Sequence, residues 1–546
     1  MDMKNSTFIN RLKCLRELNS RNSNFINIDL YKLIIREDSL VAGYEKIKSN
    51  NGAIIFKNRI GTISLDEFGR KRLEKLWLSL GNESWSPNQA RRIYISKSGK
   101  LEKRPLGIQD PFFFEKVVQS SMLMVLEAIY EPIFSKNSFG FRPGRGAHDA
   151  LKSIEQTFDG MIYAMQGNIK GMYDNVNHDI LITLLEKRIS DHRFIRLVRK
   201  MLNAGYLESG LTLIHPDVGT PQRSIVSPIL ANIYLHEFDV LMSDLIKDLP
   251  IRNNRIRTPV YKELDNEMRK LKHQLAKGLI FQGKEEISIA TNRLKKLKLE
   301  SIGVRMYCDP SIRVFYTRYA DDFIVGIAGS LEFFTDLRSR IGEFLCSLQL
   351  TLNLEKTKVT NIRKNCTFFL NHRIRIDTAV NNAYVRPKGK TPHLKRVTPK
   401  KRQGPLFNPA GHLVSIEPPI NSIVLRLFSK GFCDHSGFPT PKKLWTSQED
   451  NQIIDNFNAT IRRLFGFYSG ARKRHYLNRI FYILKFSCAY TLAAKHRCSL
   501  SKVFIKHGKM LRVNYGPQGE FSTFLFQPSL KSSDRKWQIG RKLDDP

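Results

Sequence analysis

The pattern of apolar and polar positions changes character several times along the chain. Residues 1–85 read as short helices and loops. From 90 to about 240, alternating apolar runs are interleaved with runs spaced by three and four. Alternation predicts strands and the longer spacing predicts helices, so this stretch reads as mixed α/β. Between Tyr261 and Lys298 the spacing is purely helical: Leu264, Met268, Leu271 and Leu275, then Ile287, Ala290, Leu294 and Leu297. Gly278 and Gly283 separate the two runs. A helical hairpin rich in Lys and Glu is therefore expected within an insertion, 245–300, in a larger domain. Its charge is compatible with a solvated excursion or with RNA contact.

Short strands and helices return over 303–376. The stretch RPKGKTPHLKRVTPKKRQGP, 386–405, has almost no apolar content, and 386–418 is expected to be a basic linker. Residues 419–512 read as helical. Ile453, Ile454, Phe457, Ile461, Leu464 and Phe465 mark one amphipathic helix; Ile480, Phe481, Leu484 and Cys488 mark another. A tail, 513–546, follows.

Composition narrows the classes. The chain has 546 residues, enough for several domains, and 41% of them are hydrophobic, enough to build cores. Its net charge of +38 is extreme. Such a field binds phosphate polyanions through counterion release, which makes nucleic acid the expected partner. The seven cysteines include no CxxC, against a disulfide scaffold or zinc ribbon. The longest apolar run, 476–494, carries Asn478, Arg479 and Lys485, against a membrane span. The N-terminus has no apolar signal core.

The sharpest local signal is FYTRYADDFIVGI, 315–327. Apolar residues flank Asp321 and Asp322 on both sides, which predicts two strands joined by a turn with carboxylates at its tip. Adjacent aspartates in an apolar setting are costly unless a cation neutralises them. Hard oxygen ligands suit Mg²⁺, and phosphoryl transfer uses such a centre. Alone, Tyr-x-Asp-Asp could equally be an acidic surface turn.

Its neighbours argue otherwise. In order come RRIYISKSGKLEKRPLGIQDPFFFEKVVQ (91–119), NSFGFRPGRGAHDAL (137–151), GNIKGMYDNVNHDI (167–180) and GTPQRSIVSPILANIYLHEFD (219–239). LTLNLEKTKV and FFLNHRIRI follow within 350–376, and LKFSCAYTLAAKHRCSLSKVFIKHGKML spans 484–511. This series resembles the group II intron reverse transcriptases, or maturases, of the mitochondrial-like class. A retron or non-LTR enzyme would share the YxDD turn but not the last segment.

The resemblance implies a right-hand polymerase fold, α/β fingers and palm over 86–385, followed by an all-α thumb or maturase (X) domain over 419–512. It implies that Asp321 and Asp322 hold Mg²⁺, and that Tyr319 lies under the primer end. Tyr173 matches the gate against a ribose 2′-OH, and Gln222 the loop at the incoming nucleotide. Lys97 and Arg104 are candidates for holding triphosphate, and Lys356 for approaching the primer strand. In the thumb, Arg472, Lys473, Arg474, Lys485, Lys495, Arg497, Lys502 and Lys506, interleaved with Tyr468, Tyr476 and Tyr490, would bind intron RNA through phosphates and stacking. Arg472, Lys473 and Arg474 lie between two amphipathic helices and are expected to be exposed.

Three departures stand out. Asn168 occupies the position of the family's first metal-binding aspartate in DIKGFFD. The loop GTPQGG reads GTPQRS, with Arg223 and Ser224, and FLGY reads Phe369-Leu370-Asn371-His372. A missing carboxylate should weaken the metal site, with Asp174 as the acid that could compensate. The expected function is an intron maturase with an impaired polymerase. The alternative is an active RNA-directed DNA polymerase supporting retrohoming, with a DNA target as a second partner. The tail lacks the His-Asn-His core of an HNH endonuclease, so second-strand cleavage is not expected of this chain. Abundant Asn, Ile and Lys suit an AT-rich organelle genome, so a mitochondrial location is expected, with plastid or bacterium as alternatives.

Overall fold

A computed structural model describes residues 7–48, 70–88, 113–208, 218–220, 224–249, 259–277, 284–303, 312–378, 412–515 and 521–541. It also describes short strands at 56–58, 61–63, 90–96, 103–109, 212–214, 256–257 and 307–308.

The centre is a four-stranded antiparallel sheet. Helix α1 (Ala147–Thr157) leads into strand β1 (Tyr163–Asn168), and the long helix α2 (Ser227–Lys247) packs beneath. Strands β2 (Arg313–Tyr319), β3 (Asp322–Ala328) and β4 (Lys358–Asn361) complete the sheet in the order β2-β3-β1-β4. Strand β3 is central, and its residues from Phe323 to Ala328 are all buried. That is why DFIVGIA reads as a continuous apolar run rather than an alternating one. Two glycines make room for rings over the sheet. A Cβ on Gly167 would lie 2.2 Å from the Phe323 ring, and one on Gly326 would lie 3.0 Å from Phe158.

The fingers contribute an antiparallel pair, Ala90–Ser96 with Lys103–Gln109. The N-terminal helices Phe8–Arg21 and Glu37–Lys48 pack on the helix Phe113–Tyr130. Within the predicted insertion, helices Pro259–Lys277 and Lys284–Gly303 pack on each other, with Arg293 reaching Glu267 at 2.7 Å.

A second sheet leads to the C-terminal helices. Strands β5 (Thr367–Phe369), β6 (His372–Thr378) and β7 (His412–Glu417) are antiparallel neighbours. Residues 412–417 had read as the end of a linker; six paired residues of β6 extend the sheet there instead. The alternation Leu413, Ser415, Glu417 against Val414, Ile416 is the strand signal that the preceding Lys-rich stretch obscured. Beyond it lie helices α3 (Ile420–Ser429), α4 (Asp450–Phe467), α5 (Asn478–Lys495) and α6 (Leu500–His507). The six periodic residues of α4 are all buried, and the stripe of α5 faces them, with Phe481 at its margin. This domain also contains a short hairpin, Val513–Tyr515 with Phe521–Thr523.

The helical domain is fastened to the palm through α1. The Glu155 carboxylate accepts from Arg472 at 2.9 Å, from Arg535 at 2.7 Å and from Trp537 Nε1 at 2.8 Å. Trp537 lies flat on the backbone at Gly470, where a Cβ would come within 1.9 Å of the indole. His148 bridges the same seam. Its Nδ1 accepts from the Gln538 N–H, so Nε2 donates to the Phe467 carbonyl at 2.7 Å. The tail therefore straps both domains together.

His372 sits in the same seam, fully buried against Phe467, Tyr468 and Trp537. Burial holds its imidazole down to about 3, opposed only in part by its hydrogen bond to the Leu370 carbonyl. Burial also lowers His148. The unfolded chain protonates such a histidine near 6.5 while the folded chain refuses the proton. Stability from this source is complete above pH 6.5 and declines as pH falls toward 3. From pH 6.5 to 5 the loss at His372 should be about 2 kcal/mol. His372→Phe keeps a ring and removes the titration. Thermal melts should show a smaller drop between pH 7.5 and 5 in the variant; an unchanged drop would assign the acid sensitivity elsewhere.

Candidate polymerase centre and nucleic-acid surface

Strands β2 and β3 pair up to Tyr319 opposite Asp322, leaving Ala320 and Asp321 as a two-residue turn. Ala320 adopts φ 56°, as the tightest hairpin turns require of a central residue. An alanine in this region costs energy, so the turn must be held from outside. Arg318 holds it. Its side chain is completely buried, donating to Asp239 through Nε at 2.8 Å and Nη2 at 2.6 Å. Nη1 donates to the Ala320 carbonyl at 3.0 Å and to Asn232 at 3.1 Å. Burial opposes the guanidinium charge, yet Asp239 raises its pKa above the ordinary arginine value. Gly140 approaches so closely that a Cβ there would lie 2.3 Å from the Ala320 nitrogen.

This network was missed in the sequence. Its signal was available: the period-two face carrying buried Val314 and Tyr316 also carries Arg318. Asn232 and Asp239, seven residues apart, share one face of α2.

The turn brings Asp321 and Asp322 beside the end of β1, where Asn168 pairs with Asp322 in register. Asn168 is buried. Its Nδ2 donates to Asp321 Oδ2 at 3.1 Å and to Asp322 Oδ1 at 2.6 Å. Its Oδ1 accepts from Lys356 Nζ at 3.4 Å. Lys356 is placed by its loop, in which the Asn353 N–H donates to the Asn168 carbonyl at 2.8 Å. The sequence had pointed to Lys356 for primer contact, and here its ammonium faces the amide. Burial and the charge of Asp321 raise the Asp322 carboxyl above its usual range, against the lowering pull of Asn168 and Lys356. Among the described residues, no cluster of three or more His, Cys, Asp or Glu could hold a metal. Asp174 is exposed and does not join the pair.

Tyr173 and Tyr319 line the cleft of about 610 Å³ into which both aspartates open, together with Phe141, Asn371 and Arg426. Lys97, Gln222 and Arg223 lie outside the described residues, and of Arg104 only the backbone is described, paired with Ile95. Ser224 is buried just ahead of α2. The FLNH departure leaves the backbone sound. Leu370 and Asn371 have φ 46° and 56°, a turn in which asparagine serves nearly as well as glycine.

In the helical domain the expected basic surface divides. Arg472, Lys473 and Arg474 are not the exposed patch that the sequence suggested. Arg472 pairs with Glu155, Lys473 with Glu417 at 2.7 Å, and Arg474 is buried, donating to the Ser529 carbonyl at 2.7 Å. The turn before α5 packs against the second sheet and the strap, which sequence spacing could not reveal. Lys495 is likewise held by Asp450 at 2.6 Å. Arg497, Lys502 and Lys506 are exposed, and Lys485 is half-buried. Tyr476 and Tyr482 are exposed on the same domain, whereas Tyr468 is buried.

A palm sheet with a paired-aspartate turn, joined to a helical domain, defines the class as right-hand nucleic-acid polymerases. Comparisons carry this to a family. Residues 95–251 match the profile "Reverse transcriptase (RNA-dependent DNA polymerase)", and 412–534 match "Type II intron maturase". The group II intron-encoded protein LtrA of Lactococcus lactis subsp. cremoris is 33% identical over 480 residues, covering 87% of this chain and 76% of LtrA. A 91 kDa protein in the cob intron of Schizosaccharomyces pombe is 34% identical, covering 96% of this chain and 62% of that protein. The COX1/OXI3 intron 1 protein of Saccharomyces cerevisiae is 31% identical, covering 91% of this chain and 57% of that protein. The chain belongs to the group II intron-encoded reverse transcriptase and maturase family. Reverse transcriptases generally use Mg²⁺. No described helix is long and apolar enough to cross a membrane.

Reversing the charge of Arg472, Lys473 and Arg474 together should lower the melting temperature, because Arg472 and Lys473 are paired with largely buried carboxylates and Arg474 is itself buried. The summed loss should be roughly 3 kcal/mol or more. A triple variant that melts like the wild type but binds RNA poorly would return these residues to the RNA surface.

Proposed function

We propose that the chain binds a group II intron RNA and assists its splicing as a maturase, with a polymerase centre impaired at Asn168. The observation that carries the impairment is the direction of the amide. A carboxylate at this position would join Asp321 and Asp322 as an oxygen donor for Mg²⁺. Instead an N–H donor points at both aspartates, and the Lys356 cation stands behind it. Amide and ammonium do electrostatically what a cation would do, so this donor set does not fit a metal pair.

RNA binding is supported by the +38 charge, by exposed Arg497, Lys502 and Lys506, and by family membership. A basic helical surface neutralises phosphate repulsion and thereby favours the compact, active form of a folded RNA. The RNA would supply the splicing chemistry. A mitochondrial setting is supported by relatives from fungal cob and COX1 introns. The second reading, an active polymerase supporting retrohoming, is favoured by the intact Tyr319 to Asp322 turn and by Tyr173 in the cleft.

Binding to a group II intron RNA should be specific and salt-sensitive. In a competition titration at physiological salt, unrelated structured RNA should displace it only at tenfold or greater excess. Equal competition would overturn the maturase reading.

On a primed RNA template with Mg²⁺, the wild type should synthesise little DNA. Asn168→Asp places a third carboxylate against two, so its folded state should gain more melting temperature from Mg²⁺ than the wild type does. Synthesis should recover in part, and further with Arg223→Gly and Ser224→Gly. RNA affinity should stay within twofold. Robust wild-type synthesis abolished by Asp321→Ala would establish the second reading instead.

A further inference from the structure

A second pocket, of about 390 Å³, lies wholly within the helical domain between α3, α4 and the turn at 443–445. Its floor is apolar and aromatic, with Leu427, Phe432, Trp445 and Leu464. Phe432 and Trp445 meet edge to face at 5.6 Å between centroids, and Phe457 braces Trp445 from behind at 5.1 Å. The ring positions are therefore fixed before any ligand arrives.

The charges of this pocket have one sign. Arg426, Lys430, Lys442 and Arg463 line it, and among the described residues no carboxylate does. Lys442 is anchored by its Nζ on the Lys430 carbonyl, with the ammonium 5.1 Å from the Phe432 centroid and 5.8 Å from that of Trp445. Burial and the nearby Lys430 hold its pKa below the ordinary lysine value, so an arriving anion would relieve an existing strain. Leu444, 79% exposed, stands at the mouth.

We propose that this pocket binds one unstacked nucleotide of single-stranded RNA, its base beside the half-buried Trp445 over the apolar floor and its phosphate against Lys442 and Arg463. Four cations around an aromatic floor match a ligand with an anionic head and a flat apolar body, which neither free phosphate nor an acidic side chain combines. The place agrees. Ile423, Arg426 and Tyr468 line both this pocket and the polymerase cleft, so the two cavities adjoin across one wall whose partly exposed member is Arg426. Arg426 already donates to Asn371 Oδ1 at 3.2 Å across that boundary. The inference rests on the RNA-binding reading and adds to it a site for a single base, separate from exposed Arg497, Lys502 and Lys506.

The test uses the full chain and a single-stranded octaribonucleotide with one 2-aminopurine, alongside a duplex RNA of equal length. Wild type should bind the octamer and quench the 2-aminopurine. Trp445→Ala should weaken octamer binding about tenfold and abolish most of the quench, leaving the duplex within twofold. Lys442→Gln should reduce the salt dependence of octamer binding by about one counterion. Trp445 is half-buried and its loss could disturb the fold. Leu444→Glu, at an exposed position, is the control: it puts a carboxylate at the mouth and should weaken the octamer at least fivefold at an unchanged melting temperature. Octamer binding and quenching unaffected by Leu444→Glu and Lys442→Gln would overturn the pocket while leaving RNA binding intact. No binding of either RNA by the wild type would instead overturn the RNA-binding reading. Displacement of the octamer by inorganic phosphate or by a glutamate-rich peptide at equal concentration would reassign the pocket to that anion.

Discussion

The contact between Arg318 and Asp239 is the constraint around which the palm is arranged. Two opposite charges at zero exposure form a stable arrangement only if every donor and acceptor is satisfied, and here they are. Asp239 receives both guanidinium branches and the Tyr316 hydroxyl, and the remaining guanidinium donors reach Asn232, Ser138 and Ala320. One ion pair thus fixes helix α2, strand β2 and the aspartate turn in a single register. Losing either partner would strand a buried charge, a cost on the order of 3–5 kcal/mol. The strained alanine at the turn is affordable because this network over-determines it.

The same logic recurs at the domain seam. Glu155 draws the palm helix, the helical domain and the C-terminal strap to one carboxylate. Burial alone would raise its pKa, but Arg535, Trp537 and Arg472 together bring it below the ordinary glutamate value. The seam is therefore built from residues whose composition suggests a surface: arginines, a glutamate, two histidines and a tryptophan. Their charges are largely paired internally, which is why this strongly basic segment is not the freely exposed patch its sequence suggested.

At the polymerase centre, Asn168 leaves the architecture intact and changes its electrostatics. Three carboxylates would repel one another without a cation. Two carboxylates, an amide and a lysine form a closed hydrogen-bonded set. On the proposed reading, selection for RNA binding would maintain the palm as a scaffold while its metal chemistry lapses. The cations of α5 and α6 and the pocket near Trp445 lie on other elements and do not depend on that chemistry.

Much of this was legible in the residues themselves. The apolar periodicities of α4 and α5, the two strands around Asp321 and Asp322, the helices of the insertion and the asparagine at 168 are local patterns, because helix and strand faces repeat within one element. What the sequence could not disclose was pairing between distant elements. It counted Arg472, Lys473 and Arg474 as surface charge and 412–417 as linker, since no local rule says that Glu155, Glu417 or β6 will stand opposite. It marked Asn371 and His372 only as departures from a family pattern; folding shows that the turn accepts asparagine and that the seam encloses the histidine. It passed over Arg318, because a charged residue in a strand becomes a keystone only when a partner some eighty positions away is folded against it. Charge and periodicity are properties of the chain; which charges face solvent and which are spent on one another was decided only when the domains closed and excluded water between them.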